Sequence, residues 1–84
     1  MTLVKEGGLG VVLTHLHAGG TLAEHAAPGA TTLQVLDGHV RVHVGDDTLD
    51  VPAARLIAFD ARVRHSVEAL EDSVLLLTLA RAPA

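Results

Sequence analysis

Residues 25–38 read H-A-A-P-G-A-T-T-L-Q-V-L-D-G, and this stretch sets the reading of the whole chain. Pro28-Gly29 is a turn signal, Thr31 to Leu36 alternates as a strand, and Asp37-Gly38 closes it. Asp-Gly between two alternating runs signals a two-residue β-hairpin, because both turn residues take positive φ. The register then follows. Leu36 faces His39, Val35 faces Val40, Leu33 faces Val42, and Thr31 faces Val44. One face carries Leu33, Val35, Val40, Val42 and Val44; the other carries Thr32, Gln34, Leu36, His39, Arg41 and His43. A side-chain period of two allows no compromise, so the valine face goes inward and the histidine face outward.

Upstream of this stretch, Leu3-Val4 reads as a short edge strand, and Gly7, Gly8 and Gly10 break the chain. Leu9 to His17 is a strand ended by Gly19-Gly20, and Thr21 to His25 is a short extended piece. Downstream, Gly45-Asp46-Asp47 is a hairpin turn from which Thr48 to Val51 pairs back, until Pro52 interrupts. Leu56 to Phe59 is the next strand. Val63 to Leu70 alternates, with Arg64, Ser66 and Glu68 on one side and His65, Val67 and Ala69 on the other. Polar groups seek water, so His65 is expected to look inward. Glu71-Asp72 is a turn, and Ser73 to Ala80 is a nearly continuous apolar strand expected to be covered on both faces. Many short strands with turn signals every eight to twelve residues predict an all-β sandwich or barrel, and no segment has a helical period.

The chain has 84 residues, enough for one domain with one modest core, spanning 1–84. A barrel of this size is marginal alone, so a homodimer is expected. Phe59 is the one aromatic residue, so the core is built from Val, Leu, Ile and Ala. There is no cysteine, which excludes disulfides and thiolate zinc sites. The N-terminus lacks the apolar core of a signal peptide, and no uncharged apolar run is long enough to span a bilayer. A cytoplasmic location with no membrane partner is the expectation. The net charge of −4 argues against nucleic acid, which needs a basic face and stacking aromatics. Six histidines are the compositional feature that calls for an explanation.

The spacing of particular residues resembles the cupin superfamily. The first cupin motif, G-x5-H-x-H-x3-4-E-x6-G, is matched in spacing by Gly19, His25, Ala27, Thr31 and Gly38. The second, G-x5-P-x-G-x2-H-x3-N, is matched in spacing by Ala54, Asp60, Arg62, His65 and Ala69. The resemblance covers most of the chain and implies a double-stranded β-helix, or jelly-roll, barrel. In the family, the motif histidines and glutamate usually bind one divalent metal. Carried over residue by residue, only His25 and His65 remain: the second histidine is Ala27, the glutamate is Thr31, and glycines and proline of the second motif are gone. The resemblance therefore speaks more strongly for the fold than for the usual metal site.

His25 and His65 are read as two imidazoles lining a barrel pocket whose walls are Thr31, Leu33, Val35, Val42 and Val67. The bland alternative is a pair of histidines bonded to each other, to backbone or to water. Two imidazoles alone hold a transition metal poorly, since such sites want three or four protein ligands. His15 and His17, two apart on a strand, share one face about 7 Å apart. Turned inward, they complete a site with His25 and His65 for Fe, Mn, Ni, Zn or Cu; turned outward, they are surface or interface residues, which is the favoured reading. His39, Arg41 and His43 are an ordinary polar strand face, an anion patch or a pH-sensitive interface. Ser66 and His65 point to opposite faces and make no dyad. Asp60, Arg62 and Arg64 either orient an anionic ligand at the barrel mouth or form surface salt bridges.

The leading functional expectation is a binding protein for a small polar or anionic molecule, with or without a weakly held divalent metal. A mononuclear metal-dependent enzyme of the dioxygenase or isomerase type is the second. A structural or sensing subunit that assembles through its outer histidines is the third.

Overall fold

The computed structural model describes residues 1–80, and the side chains of all of these except Glu6 and His25. Nine strands follow one another: β1 (Thr2–Glu6), β2 (Leu9–Leu16), β3 (Thr21–His25), β4 (Thr31–Asp37), β5 (His39–Val44), β6 (Asp47–Pro52), β7 (Leu56–Phe59), β8 (His65–Ala69) and β9 (Ser73–Ala80). There is no helix among the described residues. The strand runs are rich in Val, Leu and Thr at period two, and Gly, Pro and Asp punctuate them, so local preference and pattern agree. Pro52 is tolerated because it ends β6, an edge strand where a missing N–H breaks no interior ladder.

The strands form two antiparallel sheets. Sheet A has the order β1-β2-β9-β4-β7, and sheet B the order β3-β8-β5-β6. Their inner faces meet in a core of Leu33, Val35, Val40, Val42, Val51, Phe59, Val67, Ala69 and Leu75. This is the double-sheet jelly roll that the strand spacing predicts.

The hairpin expected at Asp37-Gly38 does not form. β4 lies in sheet A and β5 in sheet B, so the predicted pairs Leu36–His39, Val35–Val40, Leu33–Val42 and Thr31–Val44 are not made. Val35 instead pairs with Leu75, and Val40 pairs with Val51 and Ala69. Asp37-Gly38 is the corner where the chain changes sheet. Gly38 has φ 94°, and a Cβ placed there would run into Ser73 Oγ and the Asp72 carbonyl, with Ser73 Cα at 2.7 Å. The Ser73 hydroxyl secures the corner: it accepts from the His39 amide at 3.1 Å and donates to the Glu71 carbonyl at 2.8 Å. The predicted facing survives the change of partners. Leu33, Val35, Val40 and Val42 are fully buried, and Val44 is half-buried. Leu36, however, is on sheet A and the histidine strand on sheet B, so they do not share one surface.

The two-residue hairpin lies at Gly45-Asp46, where Val44 pairs with Asp47 and Gly45 takes φ 58°, the sign a II′ turn requires at its first central residue. β9 is the central strand of sheet A, between β2 and β4. Its inward Ser73 and Leu75 are buried, but its outward Val74, Leu76 and Thr78 are only half-buried. The expectation that β9 is covered on both faces is therefore corrected: a two-layer sandwich covers each sheet once.

Candidate ligand site at one end of the barrel

The inward alternation of β8 begins at His65, which is 2% exposed. Its Nδ1 lies 3.0 Å from the Val63 carbonyl. A carbonyl only accepts, so Nδ1 carries a proton and donates it to Val63. The Phe59 ring stacks on the imidazole, with centroids 4.2 Å apart and planes 2° from parallel. Phe59 ends β7 and pairs with Thr31, the first residue of β4. Thr31 is 3% exposed, and its Oγ1 is enclosed with no hydrogen-bond partner among the described residues. Ala27, 8% exposed, accepts a 2.7 Å bond from the Arg62 amide, which ties the segment before β4 to the one before β8.

β3 reaches this end through a register shift. Leu22 pairs with Val67 and His25 with His65, so Ala23 and Glu24 together oppose Ser66 alone. Uniform pairing from Leu22 would have put Glu24 opposite His65; the extra residue puts His25 there. The backbone thus sets the two histidine positions directly opposite each other. The His25 side chain lies outside the described residues, and the expected meeting of the two imidazoles lies there with it.

The remaining expected site residues are elsewhere. Leu33, Val35, Val42 and Val67 belong to the packed core. His15 pairs with Val74 on the outer face of sheet A and is exposed, as is His17 just beyond β2. Their rings meet edge to face at 5.0 Å, and His17 Nδ1 lies 3.9 Å from Asp72 Oδ1. They do not join His65. His39 is half-buried rather than solvated, with Nε2 enclosed and without a partner among the described residues. Arg64 makes an exposed 3.4 Å contact with Glu24. A concavity of about 340 Å³ opens on the flank between the edge strands β6 and β7, lined by Leu49, Val51, Arg55, Leu56 and Ile57 among others. It shares none of the residues expected to line a pocket.

The cupin domain family model matches residues 12–80. The chain belongs to that family. Among solved structures, it is similar to a conserved protein of unknown function from Streptococcus pyogenes, at 26% identity and TM-score 0.92, over 99% of this chain and 73% of that one. A cupin superfamily protein from Desulfitobacterium hafniense is 17% identical with TM-score 0.95, over 98% and 75% of the two chains. A cupin 2 conserved barrel domain protein from Leptotrichia buccalis is 28% identical with TM-score 0.91, over 96% of this chain and 39% of that one. No curated protein sequence matches it.

This cupin holds a positive φ at every motif glycine position, including the two where the glycine has been lost. The four positions at which the motifs carry glycine are Gly19, Gly38, Ala54 and Arg62, and all have positive φ: 83°, 94°, 71° and 66°. The donor set has changed further. Among the described residues, no three His, Cys, Asp or Glu side chains are grouped to hold a metal. At two of the lost ligand positions stand the Thr31 hydroxyl and the methyl of Ala27, neither of which replaces a histidine or carboxylate ligand. The described residues do not fit a resident transition metal. Sequence reasoning missed the role of Phe59. Its signal was available: it is the chain's one aromatic ring, at the end of a strand six residues before His65.

Proposed function

We propose that this cupin domain is a binding module whose barrel end, at Thr31, Phe59 and His65, holds a small polar or anionic molecule. The observation that carries this reading is Thr31, whose enclosed hydroxyl has no partner among the described residues. An unpaired enclosed hydroxyl costs about 1–3 kcal/mol, and folded proteins leave few of them. A carboxylate or hydroxyl oxygen that reaches Thr31 recovers that cost. His65 adds an imidazole whose Nδ1 is held on the Val63 carbonyl, and Phe59 adds a flat wall stacked on the ring. These groups position and recognise; no nucleophile or metal chemistry is needed for the role.

The test is thermal shift with a panel of small carboxylates and sugars. A ligand of the right class raises the melting temperature of the native protein. Thr31→Val should lose that response while melting no lower by itself, because valine matches threonine in shape and leaves nothing unpaired. His65→Ala should lose the response as well. A response that survives both substitutions places binding elsewhere. Tag-free protein should carry substoichiometric metal by elemental analysis; stoichiometric metal whose removal lowers stability would overturn the reading.

A further inference from the structure

The two sheets do not close on each other along one flank. β6 ends sheet B, β7 ends sheet A, and residues 53–55 cross between them. Residues paired directly across two strands point to the same side of their sheet. Leu49 pairs with Val42, Val51 with Val40 and Ile57 with Leu33, and those three partners are fully buried. Leu49, Val51 and Ile57 therefore all face the space between the sheets. Val51 is buried there, but Leu49 is 44% exposed and Ile57 only half-buried. The core is thus open at this edge, through the concavity of about 340 Å³ between β6 and β7. That volume lies at the lower end of small-molecule sites, which run from roughly 300 to 1,000 Å³. Pro52 and Leu56 complete its apolar lining.

One cation lines this slot. Arg55 sits on the crossing segment, whose backbone is tied to β4. The Ala54 amide donates to the Val35 carbonyl at 2.8 Å, and the Val35 amide donates to the Arg55 carbonyl at 3.0 Å. Arg41 and Arg64 face carboxylates, whereas Arg55 makes no ion pair among the described residues. Asp50, the acidic residue of the lining, lies 3.3 Å from Arg41, so its charge is already answered. We infer that the slot binds a small carboxylate with an apolar tail. The tail lies between the sheet edges against Leu49, Val51 and Ile57, and the carboxylate sits on the Arg55 guanidinium. A guanidinium offers two parallel N–H donors that match a carboxylate, and one charged group on an apolar lining fixes which way a ligand enters. The small volume limits the tail to a short chain or a single ring. The slot shares no residue with Thr31, Phe59 and His65, so the inference stands apart from the reading of the barrel end.

Ile57 is the chain's one isoleucine, so its methyl resonances report on the slot without ambiguity. In a methyl NMR titration of the native protein, sodium octanoate should shift Ile57 and Leu49 saturably. Octylamine, with the same tail and the opposite charge, should not. Arg55→Gln should weaken octanoate binding about fivefold, the upper range for a solvent-facing ion pair, and leave that of octanol unchanged. Leu49→Trp should fill the slot and abolish the shift. Leu49 and Arg55 are both exposed, so neither substitution empties the core. Thr31→Val should leave the response intact. An Ile57 signal that ignores octanoate, an octanoate affinity unchanged in Arg55→Gln, or octylamine bound as tightly as octanoate would each overturn the inference. A response lost in Thr31→Val would overturn it as well, by placing the carboxylate at the barrel end.

Discussion

Ala54 and Arg62 hold φ angles of 71° and 66° at positions where the cupin motifs carry glycine. A left-handed conformation costs a residue with a Cβ about 1–2 kcal/mol. Glycine removes that strain but gives back roughly 0.5–1 kcal/mol through the freer unfolded chain. The difference favours glycine. Ala54→Gly and Arg62→Gly should each stabilise the fold by about 0.5–1 kcal/mol, seen as a higher urea midpoint with unchanged slope. A lower midpoint in both would mean that these side chains contribute contacts outweighing the strain. Gly38→Ala has the opposite sign. There the new Cβ meets both the strained φ and the backbone of Asp72 and Ser73, which cannot swing aside. Backbone strain and overpacking together predict a loss of about 3 kcal/mol or more. At this scale the sequence was half legible. Gly38 announced a special backbone through Asp-Gly, whereas Ala54 and Arg62 gave no local sign and were visible only through the spacing of the family motifs.

At the scale of elements, period-two alternation told which face each residue takes, and it told nothing about the strand's partner. Leu33, Val35, Val40 and Val42 are buried as the alternation required, although none of the expected β4–β5 pairs exists. A tight turn and a sheet-changing corner place the same demand on the Asp-Gly dipeptide, so local chemistry cannot separate them; the crossing strand segment at Ser73 decides, and it is thirty-five residues away. The candidate site was legible to the same degree. Alternation turned His65 inward, and spacing put Thr31 at the position of a lost ligand. The stacking of Phe59 and the β3 bulge depend on how two sheets close on each other, which no local pattern records. β9 is where the elements depend on one another most, since it joins β2 to β4 and sends Leu75 into the core at 0% exposure. Leu75→Ala should cost about 2.5–5 kcal/mol, because rigid neighbours leave the cavity unfilled. Chemical denaturation reads this directly, and a cost below about 1 kcal/mol would mean that the two sheets collapse to refill the space.

At the scale of the whole molecule, size links stability to assembly. A domain of 84 residues has a stability of roughly 4–12 kcal/mol, so a loss at the Leu75 level removes much of it. A homodimer, the expectation for a barrel this small, would share that loss between two copies. Unfolding is then coupled to dissociation, and the melting temperature depends on concentration by mass action. A tenfold change in protein concentration shifts the free energy per dimer by about 1.4 kcal/mol. With an unfolding entropy of about 2.1 cal/mol/K per residue over both chains, that becomes about 4 °C per tenfold change. Calorimetry over two decades of concentration should show this rise in the native protein. A flat profile in a native protein that sediments as a dimer would show that each barrel folds and melts alone, with the contact adding no stability of its own. The slope therefore separates an interface that completes the fold from one that only joins two finished barrels.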